Sequence, residues 1–256
     1  MAEFIDPMMK KEQMLYGIHP LLEAIEAGKT LDKVMVQRGL NPDTLHKVLP
    51  ALKRADIPFQ FVPKVKLDKF TQKNHQGVIS FISPVEFQNI EWLLPSIYES
   101  GETPFLLILD RITDVRNFGA ITRTAECAGV HAIIVPTKGA AQLNADAIKT
   151  SAGAALRIPI CRSNSLGKTI SFLNESGLET FACHEKGERV YYEADLSAPS
   201  AIILGSEEDG ISKNILEASS GSLSIPMKGE TSSLNVSVAA SVLLFESLRQ
   251  KATAAA

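Results

Sequence analysis

Apolar residues form short unbroken runs along much of this chain, and stretches with helical spacing separate them. The clearest run lies at 105–110, where five apolar residues precede Asp110. Runs without polar alternation are typical of strands covered on both faces, as in a parallel sheet. Further candidates for buried strands lie at 132–135, 179–183, 201–204 and 223–225, with helical patterns at 120–128, 144–151 and 166–176. The alternation predicts an α/β fold with a parallel sheet.

The first third of the chain carries a smaller α/β pattern. Helical spacing occurs at 21–27 and 42–55, and strand patterns occur at 33–37, 59–62 and 77–81. Residues 84–103 mix proline, acidic residues and one amphipathic piece, 90–98, which is typical of a linking helix. We therefore predict a domain at 14–83, a linker at 84–102 and a larger domain at 103–250. The low-complexity end, 252–256, is expected to fray.

Composition is compatible with this organisation. The chain has 256 residues, 45% of them hydrophobic, which suffices for one large core or two smaller ones. The net charge of −3 divides into +3 over residues 1–84 and −6 over the remainder. Four lysines and a histidine cluster in the basic part with only Asp68 opposing them: Lys64, Lys66, Lys69, Lys73 and His75. This cluster suits a phosphate backbone, although a solvated surface explains it equally well.

Other features bear on the cellular compartment. The longest apolar stretch, 236–245, is interrupted by two serines and is about half of the ~20 residues that a membrane span needs. The three cysteines are too far apart for a metal cluster or a CxxC redox pair, so we expect a reducing cytoplasm. Residues 1–8 lack the pattern of a secretory signal. A natural start at Met8 or Met9 is an alternative, and we set these residues aside.

Several familiar motifs fail on inspection. Gly167-Lys168-Thr169 resembles the end of a phosphate loop, but Arg162 stands where that motif needs its first glycine. His184-Glu185 has no second histidine at the spacing of a zinc protease. Neither GxGxxG nor GxSxG occurs, which disfavours a nucleotide-binding oxidoreductase and a nucleophile elbow.

Three polar clusters remain, at 117–123, 205–210 and 231–237. The first places Asn117 and Arg123 around the predicted start of a helix at 119 or 120, where Asn117 could be a cap or loop residue. The second follows a buried strand with Gly205, three acids and a further glycine, and an acidic helix start is the simpler explanation. The third precedes an apolar helix predicted at 234–249, and it has more hydroxyl and amide groups than one cap requires. Loops after parallel strands are nevertheless the usual ligand position in α/β folds.

With these clusters the chain resembles the SpoU-type RNA ribose 2′-O-methyltransferases of the SPOUT superfamily. The matching segments are 109–123, 204–210 and 224–239, together with 141–144 and, near the start, 16–19 and 74–78. The resemblance covers nearly the whole chain. It is closest to the 23S rRNA guanosine-2′-O-methyltransferase branch.

The resemblance implies a fold and a set of partners. The fold is an L30e-like RNA-binding domain followed by an α/β methyltransferase domain with a C-terminal trefoil knot, a feature too rare to derive from the pattern. The cofactor is S-adenosylmethionine, the substrate is RNA, most specifically 23S rRNA, and neither DNA, a membrane nor a metal takes part. The enzyme is expected to be a cytoplasmic homodimer with a shared active site.

The resemblance also implies roles for individual residues. The cofactor is expected to contact Gly205, Ile225, Met227 and Leu234. Arg123 would stabilise the alkoxide and a phosphate, since a guanidinium is always protonated and is a poor base. Asn117 and Glu207 would orient Arg123, and Ser233 and Asn235 would line the transfer site. Two alternatives stay open: a tRNA 2′-O-methyltransferase, and a non-catalytic RNA-binding or ribosome-assembly factor on the same scaffold.

Overall fold

The computed structural model describes residues 14–254. The chain divides into two compact units, Met1–Glu86 with Leu143–Ala145, and Phe87–Gln142 with Asp146–Ala256. The expectations about residues 1–8 and about the last two residues lie outside the described part. Within residues 14–254, no helix combines the length and the apolar character needed to cross a bilayer.

The first unit contains a four-stranded sheet of order β1-β4-β2-β3, in which only β2 and β3 run parallel. Its strands are β1 (Met14–Tyr16), β2 (Leu31–Gln37), β3 (Phe59–Val62) and β4 (Val78–Ile82), and its helices are α1 (Ile18–Glu26), α2 (Pro42–Arg54) and α3 (Lys64–Asp68). The sequence pattern missed β1 and α3. A strand of three residues and a helix of five are each too short to show their own periodicity.

Both faces of this sheet contribute to a core. On one face, Leu21 of α1 and Leu52 of α2 are fully buried against Val34 and Val36 of β2. On the other, Leu67 of α3 is buried with a second set of side chains, Met35, Val62 and Ile79. The unbroken apolar run of β2, Val34-Met35-Val36, follows from this two-sided burial.

The second unit contains an eight-stranded, all-parallel sheet of order β10-β12-β9-β11-β6-β7-β8-β5. The strands are β5 (Phe87–Gln88), β6 (Phe105–Asp110), β7 (Ala132–Pro136), β8 (Ile160–Ser163), β9 (Glu179–Cys183), β10 (Arg189–Val190), β11 (Ser200–Gly205) and β12 (Gly221–Ser224). The helices that follow α3 in the chain are α4 (Ile90–Glu99), α5 (Val115–Cys127), α6 (Ala145–Thr150), α7 (Leu166–Glu175), α8 (Lys213–Ala218) and α9 (Val236–Ala254). The predicted α/β class with a parallel sheet is confirmed.

Strand β6 lies in the middle of the sheet, and all six of its residues are buried. It pairs with β11 from Ser200↔Phe105 to Gly205↔Asp110. The two strands therefore end at the same level, and their following loops leave the sheet side by side. The carboxyl edge of a parallel sheet is where ligands bind in such folds.

Three predicted helix ends were wrong. Helix α5 begins at Val115 rather than near 119, because the Asp114 side chain caps it by accepting a hydrogen bond from the Asn117 amide at 2.8 Å. Helix α9 begins at Val236 rather than 234 and continues to Ala254 rather than 249, so residues 252–254 are helical rather than frayed. Helix α4 lies where the linking helix at 90–98 was predicted, and it buries three apolar side chains in the core of the second unit: Ile90, Leu94 and Ile97.

Candidate active site at the carboxyl edge of the parallel sheet

A cavity of about 620 Å³ lies at the carboxyl edge of the large sheet. Its walls come from the segments that follow three neighbouring strands, β9, β11 and β12, and from the start of α9. The lining residues are those at 183–186, 204–211, 216, 223, 225, 227, 232–236, 239 and 243. This volume lies within the range of sites for small ligands and cofactors.

The loop after β11 is a tight turn. The Gly210 amide donates to the Ser206 carbonyl at 2.9 Å, and the Asp209 amide donates to Ser206 Oγ at 3.1 Å. Gly205 must lack a side chain, because a Cβ there would lie 2.2 Å from the Gly210 carbonyl carbon. The turn therefore presents main-chain groups to the cavity, as the glycine in the sequence indicated.

A buried carboxylate holds this turn against β6. Asp110 is 3% exposed, and its carboxylate accepts hydrogen bonds from Arg111 Nε and Nη2, both at 3.1 Å, and from the amide and hydroxyl of Ser212 at 2.8 and 2.5 Å. Arg111 also donates to Asp209 Oδ2 and to the Gly210 carbonyl, each at 3.0 Å. We call these three side chains, Asp110, Arg111 and Ser212, the loop clamp.

The loop clamp strains the backbone at Arg111 and changes the pKa of Asp110. Arg111 has φ of +58°, a left-handed conformation that a residue with a side chain rarely adopts. Burial alone would raise the pKa of Asp110, but the hydrogen bonds from Arg111 and Ser212 and the charge of Arg111 outweigh burial and lower it. The carboxylate is therefore ionised at neutral pH.

A network of three side chains joins the turn to α5 and α9. Asn235 Nδ2 donates to Glu207 Oε1 at 2.5 Å and to Asn117 Oδ1 at 3.1 Å. Asn235 Oδ1 caps α9 by accepting from the amide and the hydroxyl of Ser237 at 2.9 and 2.6 Å. These contacts use the amide of Asn235 in full and fix the orientation of its side chain.

Arg123 takes no part in this network within one chain. It is exposed on α5, six residues after Asn117, and within residues 14–254 its side chain makes no hydrogen bond or ion pair. The expectation that Asn117 and Glu207 orient Arg123 finds no such contact in one chain, because both side chains bond to Asn235 instead. Neither Asn117 nor Arg123 lines the cavity, whereas Glu207, Ser233 and Asn235 do.

Two family models match this chain over most of its length. The SpoU rRNA Methylase family matches residues 104–245, and the RNA 2'-O ribose methyltransferase substrate binding family matches residues 14–88. The chain belongs to the SpoU rRNA methylase family.

Relatives of this SpoU protein include named enzymes. The 23S rRNA (guanosine-2'-O-)-methyltransferase RlmB of Photorhabdus laumondii is 37% identical over 243 residues, which cover 94% of this chain and 99% of that protein. A crystal structure of an RNA 2'-O ribose methyltransferase has a TM-score of 0.56 and 26% identity, covering 98% of both chains. The SpoU methyltransferase AviRb from Streptomyces viridochromogenes, solved in complex with the cofactor AdoMet, has a TM-score of 0.59 at 22% identity, covering 94% of this chain and 90% of that one.

The four positions expected to contact a cofactor in this SpoU protein come together. Gly205, Ile225, Met227 and Leu234 all line the cavity, although they derive from three separate segments. Met227 is 39% exposed, and Ile225 and Leu234 are half-buried. Their roles stay predictions, but the fold brings them to one place.

One wall of the cavity was missed from the sequence. Cys183, the last residue of β9, lines the cavity together with the three residues that follow, His184, Glu185 and Lys186. Their place at the carboxyl end of a predicted buried strand was the signal that could have identified them. Burial raises the pKa of the Cys183 thiol to about 12, so the thiol is protonated at neutral pH.

Among the described residues, no group of three or more His, Cys, Asp or Glu side chains could hold a metal ion. The Gly167-Lys168-Thr169 segment lies in the first turn of α7, where Ser165 caps the helix by accepting from the Lys168 amide at 3.4 Å. The residues that meet at the sheet edge therefore offer hydrogen bonds, main-chain groups and carboxylates.

Proposed function

We propose that this chain transfers a methyl group from S-adenosylmethionine to a ribose 2′-hydroxyl of RNA, and that the nucleotide is a guanosine of 23S rRNA. The observation that carries the proposal is the Asn235 network at the edge of the 620 Å³ cavity, in a chain of the SpoU family. The match to RlmB over 94% of the chain supports the choice of 23S rRNA.

The cavity fits the cofactor that the family uses. Gly205 and Gly210 approach so closely that no side chain intervenes, so this wall of the cavity is main chain, which suits an adenosine that needs hydrogen bonds and room more than charge. Gly205, Ile225, Met227 and Leu234 are the residues proposed to hold it. S-adenosylmethionine supplies a methyl group on a positively charged sulfonium, which is ready for attack by an oxygen nucleophile.

The chain has to position the ribose and stabilise the charge that develops on its 2′-oxygen. We assign the catalytic set as Asn117, Arg123, Glu207, Ser233 and Asn235. Ser233 is exposed at the cavity, where its hydroxyl is available to hydrogen-bond a ribose. Arg123 supplies the positive charge for the oxygen and for a neighbouring phosphate.

The site is proposed to be complete only in a homodimer. The Arg123 side chain has no partner within residues 14–254 of its own chain, and it does not line the cavity. Helix α9 packs on α5, with Thr124 Oγ1 3.4 Å from Ser241 Oγ. The same helix exposes apolar side chains on one side, Val238, Phe245 and Leu248, at 47, 48 and 39%. A second copy of the chain would bury them.

Three further assignments belong to this proposal. Residues 14–83 are the L30e-like RNA-binding domain, and residues 103–250 are the methyltransferase domain with its C-terminal knot. Membership of a ribosomal RNA methylase family supports a cytoplasmic location.

The direct test uses the purified chain, labelled S-adenosylmethionine and 23S rRNA that lacks its own ribose modifications. We expect one labelled guanosine, located as an alkali-resistant position. Label in tRNA alone would support the tRNA alternative. Cofactor binding and RNA binding without any transfer would support the non-catalytic alternative.

A substitution at Gly205 tests the cofactor site. Alanine there would place its Cβ 2.2 to 2.4 Å from backbone atoms of Gly210 and Ile211, so the turn has to move. We expect the affinity for S-adenosylmethionine, measured by calorimetry, to fall at least about fivefold, since such overpacking costs about 1–3 kcal/mol. Gly229→Ala is the control, because no atom lies within 4 Å of its added Cβ. Equal affinities of the two variants would place the cofactor elsewhere.

A further inference from the structure

A second surface with binding chemistry lies on the small sheet, on the face opposite α1 and α2. Directly paired residues on neighbouring strands project to the same face. The registers therefore place two rows of side chains there: Lys33, Phe81 and Met14, then Met35, Ile79 and Tyr16. Helix α3 covers part of this face with Leu67, which is fully buried.

Three aromatic rings remain partly open on this face. Phe70, two residues after α3, is 44% exposed and makes an edge-to-face contact with Phe81 at 5.5 Å between ring centroids. Tyr16 carries Lys73 over its ring, with Nζ 5.3 Å from the centroid. Phe70 is thus held in place by its neighbour while nearly half of its surface faces solvent. A braced, exposed ring of this kind is a platform on which a base can stack.

The same face concentrates positive charge. Lys33 is half-buried; burial lowers its pKa, the nearby Lys66 lowers it further, and Asp32 opposes the shift. The half-buried carboxylate of Asp68, at the end of α3, is already engaged by His75 at 3.0 Å and by Lys64 at 3.1 Å. An anion that approaches Lys33 and Lys66 therefore relieves the repulsion between two ammonium groups.

We propose that this lysine and aromatic face binds a single-stranded segment of the RNA substrate. One base stacks on Phe70, and the flanking phosphates lie against Lys33, Lys66 and Lys73. Duplex RNA fits the face poorly, because its bases are stacked on one another and are not free to reach a protein ring. The inference rests on the proposed function and deepens it by naming the surface of the first unit that holds the RNA.

The stacking contact is tested with Phe70→Ala and a 12-nucleotide single-stranded RNA of mixed sequence. We expect the Kd of the full chain to rise about 5- to 100-fold, the range for loss of one base–aromatic stack. Phe61→Ala is a matched control. Phe61 is 42% exposed, close to the 44% of Phe70, but its register with Val36 places it on the opposite face of the same sheet. Phe70→Leu keeps an apolar side chain against Phe81 but has no ring, so we expect it to lose as much RNA affinity as Phe70→Ala. Phe70→Tyr keeps the ring and should keep the affinity.

The lysines are tested through the salt dependence of the same binding. Lys66→Gln and Lys73→Gln should each reduce the slope of log Kd against log salt concentration by about 0.7, the value for one phosphate contact with a single strand. Lys53→Gln is the control and should leave the slope unchanged, because Lys53 is an exposed residue of α2, which packs on the other face of the sheet.

Methyl transfer to 23S rRNA is measured in parallel with RNA binding, so that failure of the proposed binding face can be distinguished from failure of the proposed function. Equal Kd values for Phe70→Ala, Phe61→Ala and wild type would overturn the binding face, even if the wild type transfers methyl groups normally. A duplex of the same length that binds as tightly would also overturn it. Loss of single-strand binding in Phe70→Ala, together with no transfer by the wild type, would support the face and refute the proposed function.

Discussion

Replacing Arg123 with alanine is expected to lower the rate of methyl transfer by about 10²- to 10³-fold, the cost of removing one preorganised group that stabilises an oxyanion. The affinities for S-adenosylmethionine and for RNA should stay close to wild type. Arg123 is exposed on α5 and does not line the cavity, so its loss disturbs neither the core nor the proposed cofactor site. Single-turnover rates with labelled cofactor provide the measurement. Arg116→Ala is the control, because Arg116 is also exposed on α5.

The proposed sharing of the active site between two subunits allows a sharper version of this experiment. Asn235→Ser keeps a side chain able to cap α9 but removes the amide that donates to Asn117 and Glu207, so this variant should also lose methyl transfer. If Arg123 of one subunit serves the cavity of the other, a mixed dimer of the two inactive variants has one intact site. Random exchange at equal concentrations should then restore roughly a quarter of wild-type activity. No restoration after verified subunit exchange would contradict the shared site.

Five of the eight strands of the large sheet, β6, β7, β9, β11 and β12, were predicted from the sequence, because burial on both faces gives a continuous run of apolar residues, whereas β5, β8 and β10 were missed. β6 at 105–110 and β11 at 200–205 are apolar without alternation, and the sequence located each within a residue. Helix starts were less predictable where capping residues compete. Asp114, Asn117 and the serines before Asn235 all suit a cap, and only the folded chain shows that Asp114 and Asn235 take that position.

For the candidate site, the sequence pointed to some positions that the fold brings together, but not to the hydrogen bonds that join them. Resemblance pointed to Asn117, Glu207 and Asn235, which the fold does bring together. Their mutual hydrogen bonds, however, join positions 28 and 118 residues apart, and no local pattern records such pairs. The loop clamp left even less trace, since an Asp-Arg pair after a strand is unremarkable until Ser212, 102 residues away, donates to the same carboxylate.

Loss of the Asp110 carboxylate is the largest stability effect that we expect. Asp110→Asn keeps the volume of the side chain but removes the charge that accepts from Arg111 and Ser212. Breaking a buried ion pair by removing one partner costs about 3–5 kcal/mol, and we expect about 2–4 kcal/mol because Arg111, at 34% exposure, can regain water. Thermal unfolding followed by circular dichroism should show a clear fall in Tm. The affinity for S-adenosylmethionine should fall with it, because Arg111 also holds the turn that lines the cavity.

Asp195→Asn is the control for this prediction. Asp195 is exposed, and its carboxylate also accepts several hydrogen bonds, from the amide and hydroxyl of Ser197 and from the Ala198 amide. Its loss should cost less than about 1 kcal/mol, because water can replace an exposed partner.

The pH dependence of stability separates the effect of the Asp110 charge from the effect of packing. Since the folded-state pKa of Asp110 is lowered from 3.8, its contribution is fully present above pH 3.8 and is lost as the pH falls through the folded-state pKa. The gap in stability between wild type and Asp110→Asn should therefore be constant near neutral pH and shrink only in strong acid, and a gap that closes near pH 7 would show that Asp110 is not ionised in the loop clamp.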